Sequence, residues 1–373
     1  MNLGRGAVAS SLVAVCAAAW WLSWPQDVQS HGTLTTTVLF DREIVRVLNN
    51  HCVMCHSEGS LSFPLSTYEQ TWVRGRAMRA EVLRRHMPPW PAVPGYGEFA
   101  NDNSLTLREM QFVVSWVEGL GPRNAGRVFL NVGNVAARPE EVRAVAHTDH
   151  WQLGQPDLTR ALGAASIDAG AADHVSRTVI DLGLTREQRV RGLEFMPGDR
   201  RVVRAAVFTL ESTGQWLGSW TPWYGFVSLP AGVMYRLPAG SRIVADIHYR
   251  GSKERVDDRG TLGLFFADRA ATRPASDVVV VAERPAVRLP ADTYAWALQP
   301  QFDAGVTSIE VTARRPDGGT DILLFARNLS TEWPTPYILK EPRLLRRGTE
   351  LSVVAREGSA AASRPVRVTL SRY

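Results

Sequence analysis

The chain has 373 residues, 45% hydrophobic and 21% charged, a globular composition with room for two or three domains. Its formal charge of +5 comes mainly from arginines scattered along the sequence, so no nucleic-acid-binding stripe is present, although a basic face can still help docking to an acidic partner or an anionic membrane. Three cysteines, Cys16, Cys52 and Cys55, are too few for a disulfide framework.

Residues 1–30 read as a targeting segment. Arg5 supplies the positive charge, the run from Ala7 to Trp24 is apolar apart from its serines, and Pro25 ends it. This fits a secretory leader with a weak cleavage site at Val28-Gln29-Ser30. Its length also suits an uncleaved anchor in the inner membrane. Either way, the rest of the chain is expected in the periplasm.

Residues 38–52 predict a helix, with Val38, Leu39, Ile44, Val47 and Leu48 near a 3.6-residue period. It runs into His51-Cys52-Val53-Met54-Cys55-His56. Two cysteines two residues apart, followed by histidine, form the attachment pattern of a c-type haem. Cys52 and Cys55 would form thioethers with the porphyrin, and His56 would be the proximal iron ligand. A dithiol of the thioredoxin kind calls for a βαβ context, and a zinc site calls for a second ligand pair; neither follows in the sequence.

Residues 57–64 are a loop, and Thr67 to His86 predict a second helix with Trp72, Met78, Val82 and Leu83 as its apolar stripe. Met87-Pro88-Pro89-Trp90-Pro91 stops it, because proline cannot continue a helix. A thioether at the head of a stiff loop suits a sixth iron ligand, so Met87 is the expected distal donor, with the neighbouring His86 as the alternative. Met78 and Met110 fit core positions better. Ser104 to Gly119 predict a third helix, burying Leu105, Leu107, Met110, Phe112, Val113, Trp116 and Val117 and ended by Gly119, Gly121 and Pro122. Residues 36–122 are thus expected to form a small all-α domain with one covalent haem c.

Residues 123–144 read as a linker. Beyond about residue 145 the pattern changes to short alternating runs between Gly, Pro and Asp. Arg201–Leu210, Arg242–Tyr249, Gly260–Phe266, Thr307–Ala313, Asp321–Ala326, Glu350–Ala355 and Pro365–Ser371 read as strands, with a hairpin turn at Arg315-Pro316-Asp317-Gly318-Gly319. Such spacing predicts an all-β sandwich or jelly roll. A break at Ala270–Val287 divides it into subdomains 145–270 and 285–373.

Several segments resemble known families. Asn50-His51-Cys52 through His56, Phe63-Pro64-Leu65, Met87-Pro88-Pro89-Trp90 and Phe99-Ala100-Asn101-Asp102 resemble the cytochrome c module at the front of some bacterial proteins of the copper type II, ascorbate-dependent monooxygenase family. In that module the methionine before Pro-Pro is the distal ligand, and Met87 matches it. The rest resembles the two-subdomain fold of peptidylglycine α-hydroxylating monooxygenase. The matching segments are Trp151–Leu158, Pro197-Gly198-Asp199, Leu237-Pro238-Ala239-Gly240-Ser241, Ile247-His248-Tyr249 and Gly263-Leu264-Phe265-Phe266.

That family implies two copper sites, one per subdomain. At the positions matching the first site's histidine pair stand Arg204 and Ala205, which leaves His248. At the second, the matching stretch Leu298-Gln299-Pro300-Gln301-Phe302 has no histidine, no histidine follows His248, and no methionine follows Met234. His248 shares a strand face with Val244 and Asp246 and reads as structural. His147, His150 and His174 are the only remote candidates. Stoichiometric copper is therefore not expected. The sequence points to an exported electron-transfer cytochrome with a redox protein partner and a degenerate sandwich for partner or ligand binding. The rival is a haem-linked copper monooxygenase using other ligands; a third reading is a structural subunit of a membrane respiratory assembly.

Overall fold

The computed structural model describes residues 36–124, 150–358 and 364–373. The expected targeting segment, His147 and nearly all of the expected linker lie outside the described residues. Among the described residues no helix is long and apolar enough to cross a membrane.

Three helices occupy the N-terminal part. A π-helical turn, Phe40–Ile44, runs directly into α1, Val45–His51. α2 spans Tyr68–Leu83 and α3 spans Leu107–Glu118. Both α2 and α3 start with a capping box: Thr67 with Gln70, and Thr106 with Glu109. Each threonine oxygen accepts from a first-turn amide while the third-position side chain accepts from the cap amide. Phe40, Ile44, Val47 and Leu48 pack with Val53, Leu65, Val82, Val113 and Trp116 into one core.

The helices depart from the sequence reading in three respects. α2 ends at Leu83, before the prolines, because Arg85 turns the chain with φ +57, a conformation few arginines adopt. Its packing face is also not the expected stripe. Trp72 and Leu83 are exposed at 38% and 47%, while Thr71, Gly75 and Val82 are buried. Gly75 faces α3, where a Cβ would make ordinary contact with the Val117 methyl at 3.5 Å. Leu107, expected in the core of α3, is instead exposed in its first turn.

The rest of the chain is β. Strand makes up 41% of the structure, arranged as sheets packed face to face. The first body contains β1 (Leu158–Ala161), β2 (Ala165–Ile167), β3 (His174–Asp181), β4 (Gln188–Met196), β5 (Val203–Leu210), β6 (Trp216–Trp220), β7 (Phe226–Ser228), β8 (Val233–Leu237), β9 (Arg242–Tyr249), β10 (Val256–Asp258), β11 (Thr261–Phe266) and β12 (Arg273–Pro274). One sheet runs β1-β11-β4-β8-β12 with β7 also on β4, the other runs β3-β9-β5-β6, and β2 and β10 pair separately. Phe195 of β4 meets Phe208 of β5 at 5.3 Å across the core between the two sheets.

The second body contains β13 (Ser276–Val281), β14 (Val287–Arg288), β15 (Thr293–Gln301), β16 (Val306–Arg314), β17 (Thr320–Arg327), β18 (Tyr337–Leu345), β19 (Glu350–Glu357) and β20 (Arg367–Arg372). Its sheets are β13-β20-β15-β18 and β14-β19-β16-β17. β16 and β17 form the hairpin marked by Pro316-Asp317-Gly318, with Gly318 at φ +88. The interval read as a break holds β12, β13 and β14. β12 completes the first body and β13 pairs with β20 of the second, so the division falls near Ala275.

The bodies are packed together. Trp216 of the first stacks on Trp296 of the second at 5.5 Å, both fully buried. The Asp277 carboxylate accepts from the Trp216 amide (2.7 Å) and the Ser371 hydroxyl (2.7 Å). The segment after Met87 also belongs to the second body's core. Trp90, Ala92 and Phe99 are buried there, with Trp90 5.3 Å and Phe99 5.3 Å from the Tyr337 ring. Ala92 bridges Ala326, and Phe99 bridges Leu339. Asn101, fully enclosed, donates to the Pro336 carbonyl (2.7 Å) and accepts from the Ile338 amide (3.0 Å).

Candidate functional site

Cys52 caps the C-terminus of α1, its amide donating to the Leu48 carbonyl (2.9 Å). The chain then turns tightly: the amides of Cys55 (3.1 Å) and His56 (2.9 Å) both donate to the Cys52 carbonyl. Both cysteines are partly buried free thiols. Burial, with Glu109 nearby, pushes the Cys52 thiol up to about 12. Burial and Cys52 push Cys55 up to about 12 as well, against the guanidinium groups of Arg204 and Arg200. A redox-exchange dithiol needs an accessible thiolate of lowered pKa, and this pair has the opposite character.

His56 is held by backbone. Its Nδ1–H donates to the Phe63 carbonyl (3.0 Å), and its ring packs on Phe63 at 4.7 Å, with the Arg74 guanidinium over the Phe63 ring at 4.3 Å. Burial lowers its pKa below the ordinary histidine value, with the Phe63 bond opposing. A neutral ring with Nδ1 tied to a carbonyl presents the Nε2 lone pair, the arrangement found behind metal-ligating histidines. Nε2 has no hydrogen-bond partner among the described residues. The adjacent His51 reaches Glu109 through Nε2 (3.3 Å), while its Nδ1 is buried without a partner. These residues fit a covalently attached haem: two adjacent thiols that are not paired with each other, and an oriented imidazole directly behind them.

Met87 lines a separate cleft of about 580 Å³, within the span usual for cofactor sites. Val82, Leu83, Pro88, Trp90, Leu105 and Met110 form its apolar walls. Arg327 and Asn328, at the end of β17, close its far side. The contact is fixed by backbone: the Arg327 amide donates to the Pro91 carbonyl (2.9 Å), Val93 donates to Phe325 (2.8 Å), and the Asn328 side chain donates to the Arg84 carbonyl (3.4 Å). Cys52, Cys55 and His56 do not line this cleft. The connection is Met110, which borders the cleft and packs on the same helical core as Cys52. Met110 is therefore a second thioether at the cleft. His86 is exposed, its ring 3.2 Å from Glu81, and does not line the cleft.

The two β bodies enclose a third feature, a cleft of about 610 Å³. It brings together Arg204 of β5, His248 and Asp246 of β9, His174 of β3, and Gln299 and Gln301 of β15. These include the positions that the resemblance assigns to both copper sites, Ala205 excepted. Arg204, only 8% exposed, contacts Asp173 (3.1 Å) and Glu332 (2.9 Å) and lies 5.1 Å from the Trp333 ring. Arg177 pairs with Asp246, and Arg364 with Asp303. Burial lowers the His248 pKa, with Asp246 and Asp173 opposing. His150 is exposed and outside the cleft. Among the described residues no group of three or more His, Cys, Asp or Glu is arranged to hold a metal ion. With Arg204 beside a single half-buried histidine, this donor set does not fit copper.

Three contributors escaped the sequence reading. The Phe63 carbonyl is a backbone group, identifiable only from the loop's course. Arg327 and Asn328 reach the Met87 cleft from the second body, and no local pattern marks them. The ion pairs of Arg204 join residues far apart in sequence.

No protein-family model matches this chain. No curated protein matches it either. Among solved structures, the chain is similar to PBSX exported protein XepA, at 9% identity over 58% of this chain and 86% of that one, with a TM-score of 0.16. Similarity at that level carries no argument about function.

Proposed function

We propose that this chain is an exported mono-haem c-type cytochrome that passes single electrons to a protein partner. The helical segment is the cytochrome module, and the β bodies are a jelly-roll monooxygenase-like domain that has lost its copper chemistry and serves partner or ligand binding. The observation that carries the reading is His56, placed behind two separate cysteines with Nδ1 held by the Phe63 carbonyl and Nε2 unpartnered. Met87, which lines an apolar cleft with Met110, would be the soft second donor to the iron. The apolar start of the chain supports periplasmic location, as a leader or an inner-membrane anchor.

The bound haem would supply a one-electron redox centre. Around it the chain's own residues have distinct tasks. Cys52 and Cys55 tether the group. Phe63 keeps His56 in one tautomer and fixes its ring plane, which limits rearrangement between oxidation states. Val82, Leu105 and Trp90 are the buried apolar walls on the Met87 side, and low polarity there would favour the less charged, reduced state.

The alternative, a haem-linked copper-dependent monooxygenase, draws on one observation: the cleft between the bodies unites His248, Arg204, Gln299 and Gln301. The ion-paired arginine beside His248 weighs against it.

The test is maturation of the full chain in a host that attaches c-type haem, followed by extraction with acidified organic solvent. The haem is expected to stay with the polypeptide at one per chain. Release into the solvent phase would overturn the reading.

A further inference from the structure

The helical segment has no formal net charge, yet its charges are sorted. Residues 74–85 hold five arginines and one acid, Glu81, a surplus of four positive charges. The rest of residues 36–124 holds four arginines against eight acids, a deficit of four. A segment charged in this way is an electric dipole, and a dipole turns one chosen side toward an approaching partner of opposite charge.

The positive stretch lies on the solvent side of α2. Val73, Arg76, Ala77 and Arg84, the last at the C-cap, are exposed and share one face at helical spacing, opposite the buried Thr71, Gly75 and Val82. Val73 is 80% exposed, more than any other large apolar side chain among the described residues. An apolar centre framed by arginines is the composition of a protein interface, with contact in the middle and charge at the rim. A membrane-binding helix instead turns a continuous apolar face outward, and α2 shows one valine among arginines and alanines. The face also adjoins the Cys-x-x-Cys-His motif. Arg74 sits over the Phe63 ring at 4.3 Å, and that ring packs on His56 at 4.7 Å. A protein seated on α2 is therefore brought close to His56.

We infer that the solvent face of α2, centred on Val73 between Arg76 and Arg84, docks the electron-transfer partner, and that this partner is a protein with acidic residues around its own redox centre. This inference rests on the cytochrome reading above.

The experiment is stopped-flow oxidation of the full, haem-loaded, reduced chain by a small acidic blue-copper protein, followed across ionic strength. One electron passes from the chain to the cupric centre, and no bond is made or broken. Arg76→Glu with Arg84→Glu should lower the second-order rate constant about tenfold at low ionic strength, within the range that electrostatic steering supplies. The difference should vanish near 1 M salt, where screening acts within about 3 Å. Arg269→Glu with Arg284→Glu, at exposed positions of the β bodies, makes the same change in net charge and should cost far less. Val73→Ser should slow the reaction alike at every salt concentration, because the contact it trims is apolar. Arg76→Gln with Arg84→Gln should show a smaller loss of the same kind and covers the case in which the glutamate pair does not fold. Equal losses from the two glutamate pairs, or none from either, in chains that retain covalent haem overturn the inference and leave the cytochrome reading standing. Retained rates in the α2 variants together with lost binding to phosphatidylglycerol vesicles assign the face to a membrane and overturn it as well. A wild-type chain that takes up no haem overturns both readings.

Discussion

The two clefts are nearly equal in size, about 580 and 610 Å³, yet they are built from opposite materials. Three of the four arginines lining the cleft between the β bodies are paired with carboxylates: Arg204 with Asp173 and Glu332, Arg177 with Asp246, Arg364 with Asp303. Arg177 and Arg364 are exposed, but Arg204 is buried, and breaking a buried pair costs more than forming a new contact returns. The Met87 cleft differs, with two thioethers, apolar walls and three arginines, of which among the described residues Arg84 alone pairs with a carboxylate, that of Glu81. The difference teaches where to look for chemistry. A site is marked by groups whose valence the fold leaves open, and on that criterion His56 and the thioethers of Met87 and Met110 are the groups to test first.

The most severe way to break this comparison is to remove the thiols. Cys52→Ala with Cys55→Ala should abolish covalent haem entirely, so that any bound haem is extracted by acidified solvent. Either single variant should lose one thioether and shift the reduced α-band of the alkaline pyridine complex to the red. Haem that stays covalent in the double variant would place attachment elsewhere. Next in size is Met87→Ala. It should abolish the near-infrared sulfur-to-iron band and lower the reduction potential, because a thioether opposite histidine favours the ferrous state. If the band survives there and disappears in Met110→Ala, the second methionine at the cleft is the ligand.

Much of the architecture was legible because local chemistry and tertiary context agree. β9 alternates Ile243, Ala245, Ile247 and Tyr249 toward the core with Val244, Asp246 and His248 on the other face, matching its burial residue by residue. Pro316-Asp317-Gly318 demands a turn, and one forms. Elsewhere tertiary context prevailed. β13 reads Ser-Asp-Val-Val-Val-Val, a run without alternation in an interval that looked like a break, and only pairing with β20 makes it a strand. In α2 the indole of Trp72 looks like core. Its packing depends on Gly121 at φ +60, where any Cβ would fall 2.3 Å from the indole ring, and the side chain ends partly in solvent. The site divides the same way. The Cys-x-x-Cys-His register is local and readable, whereas the orienting carbonyl of Phe63 depends on the course of the following loop, and the place of Arg327 at the Met87 cleft depends on how distant segments meet.

The join between the helical segment and the second β body can be tested separately. Trp90 is 6% exposed, 5.9 Å from Phe99 and 5.3 Å from Tyr337. Trp90→Ala should cost about 3–5 kcal/mol in urea unfolding, the usual cost of emptying a buried aromatic site. In the haem-loaded protein it should also weaken the sulfur-to-iron band, because the loop holding Met87 loses its anchor. A stability loss with an unchanged band would show that the loop keeps its position without the second body.

The smallest effect is expected in the other cleft. Copper binds where several soft or imidazole donors are preorganised. Here one half-buried histidine faces a buried guanidinium, and Gln299 and Gln301 offer only neutral amides. A cation entering this cleft would meet Arg204 and would have to compete with it for Asp173 and Glu332. Any ligand that binds only the folded state raises stability by mass action, by about 2.7 kcal/mol at a hundredfold excess over its Kd, so thermal unfolding is a sensitive readout. Micromolar cupric ion added to the full chain should leave the midpoint unchanged, and His248→Ala should behave as the parent does with and without the metal. A midpoint that rises with copper in the parent and stays still in His248→Ala would show that the cleft has an open valence after all. It would also restore the oxygenase reading, with His174 the first place to look for a second ligand.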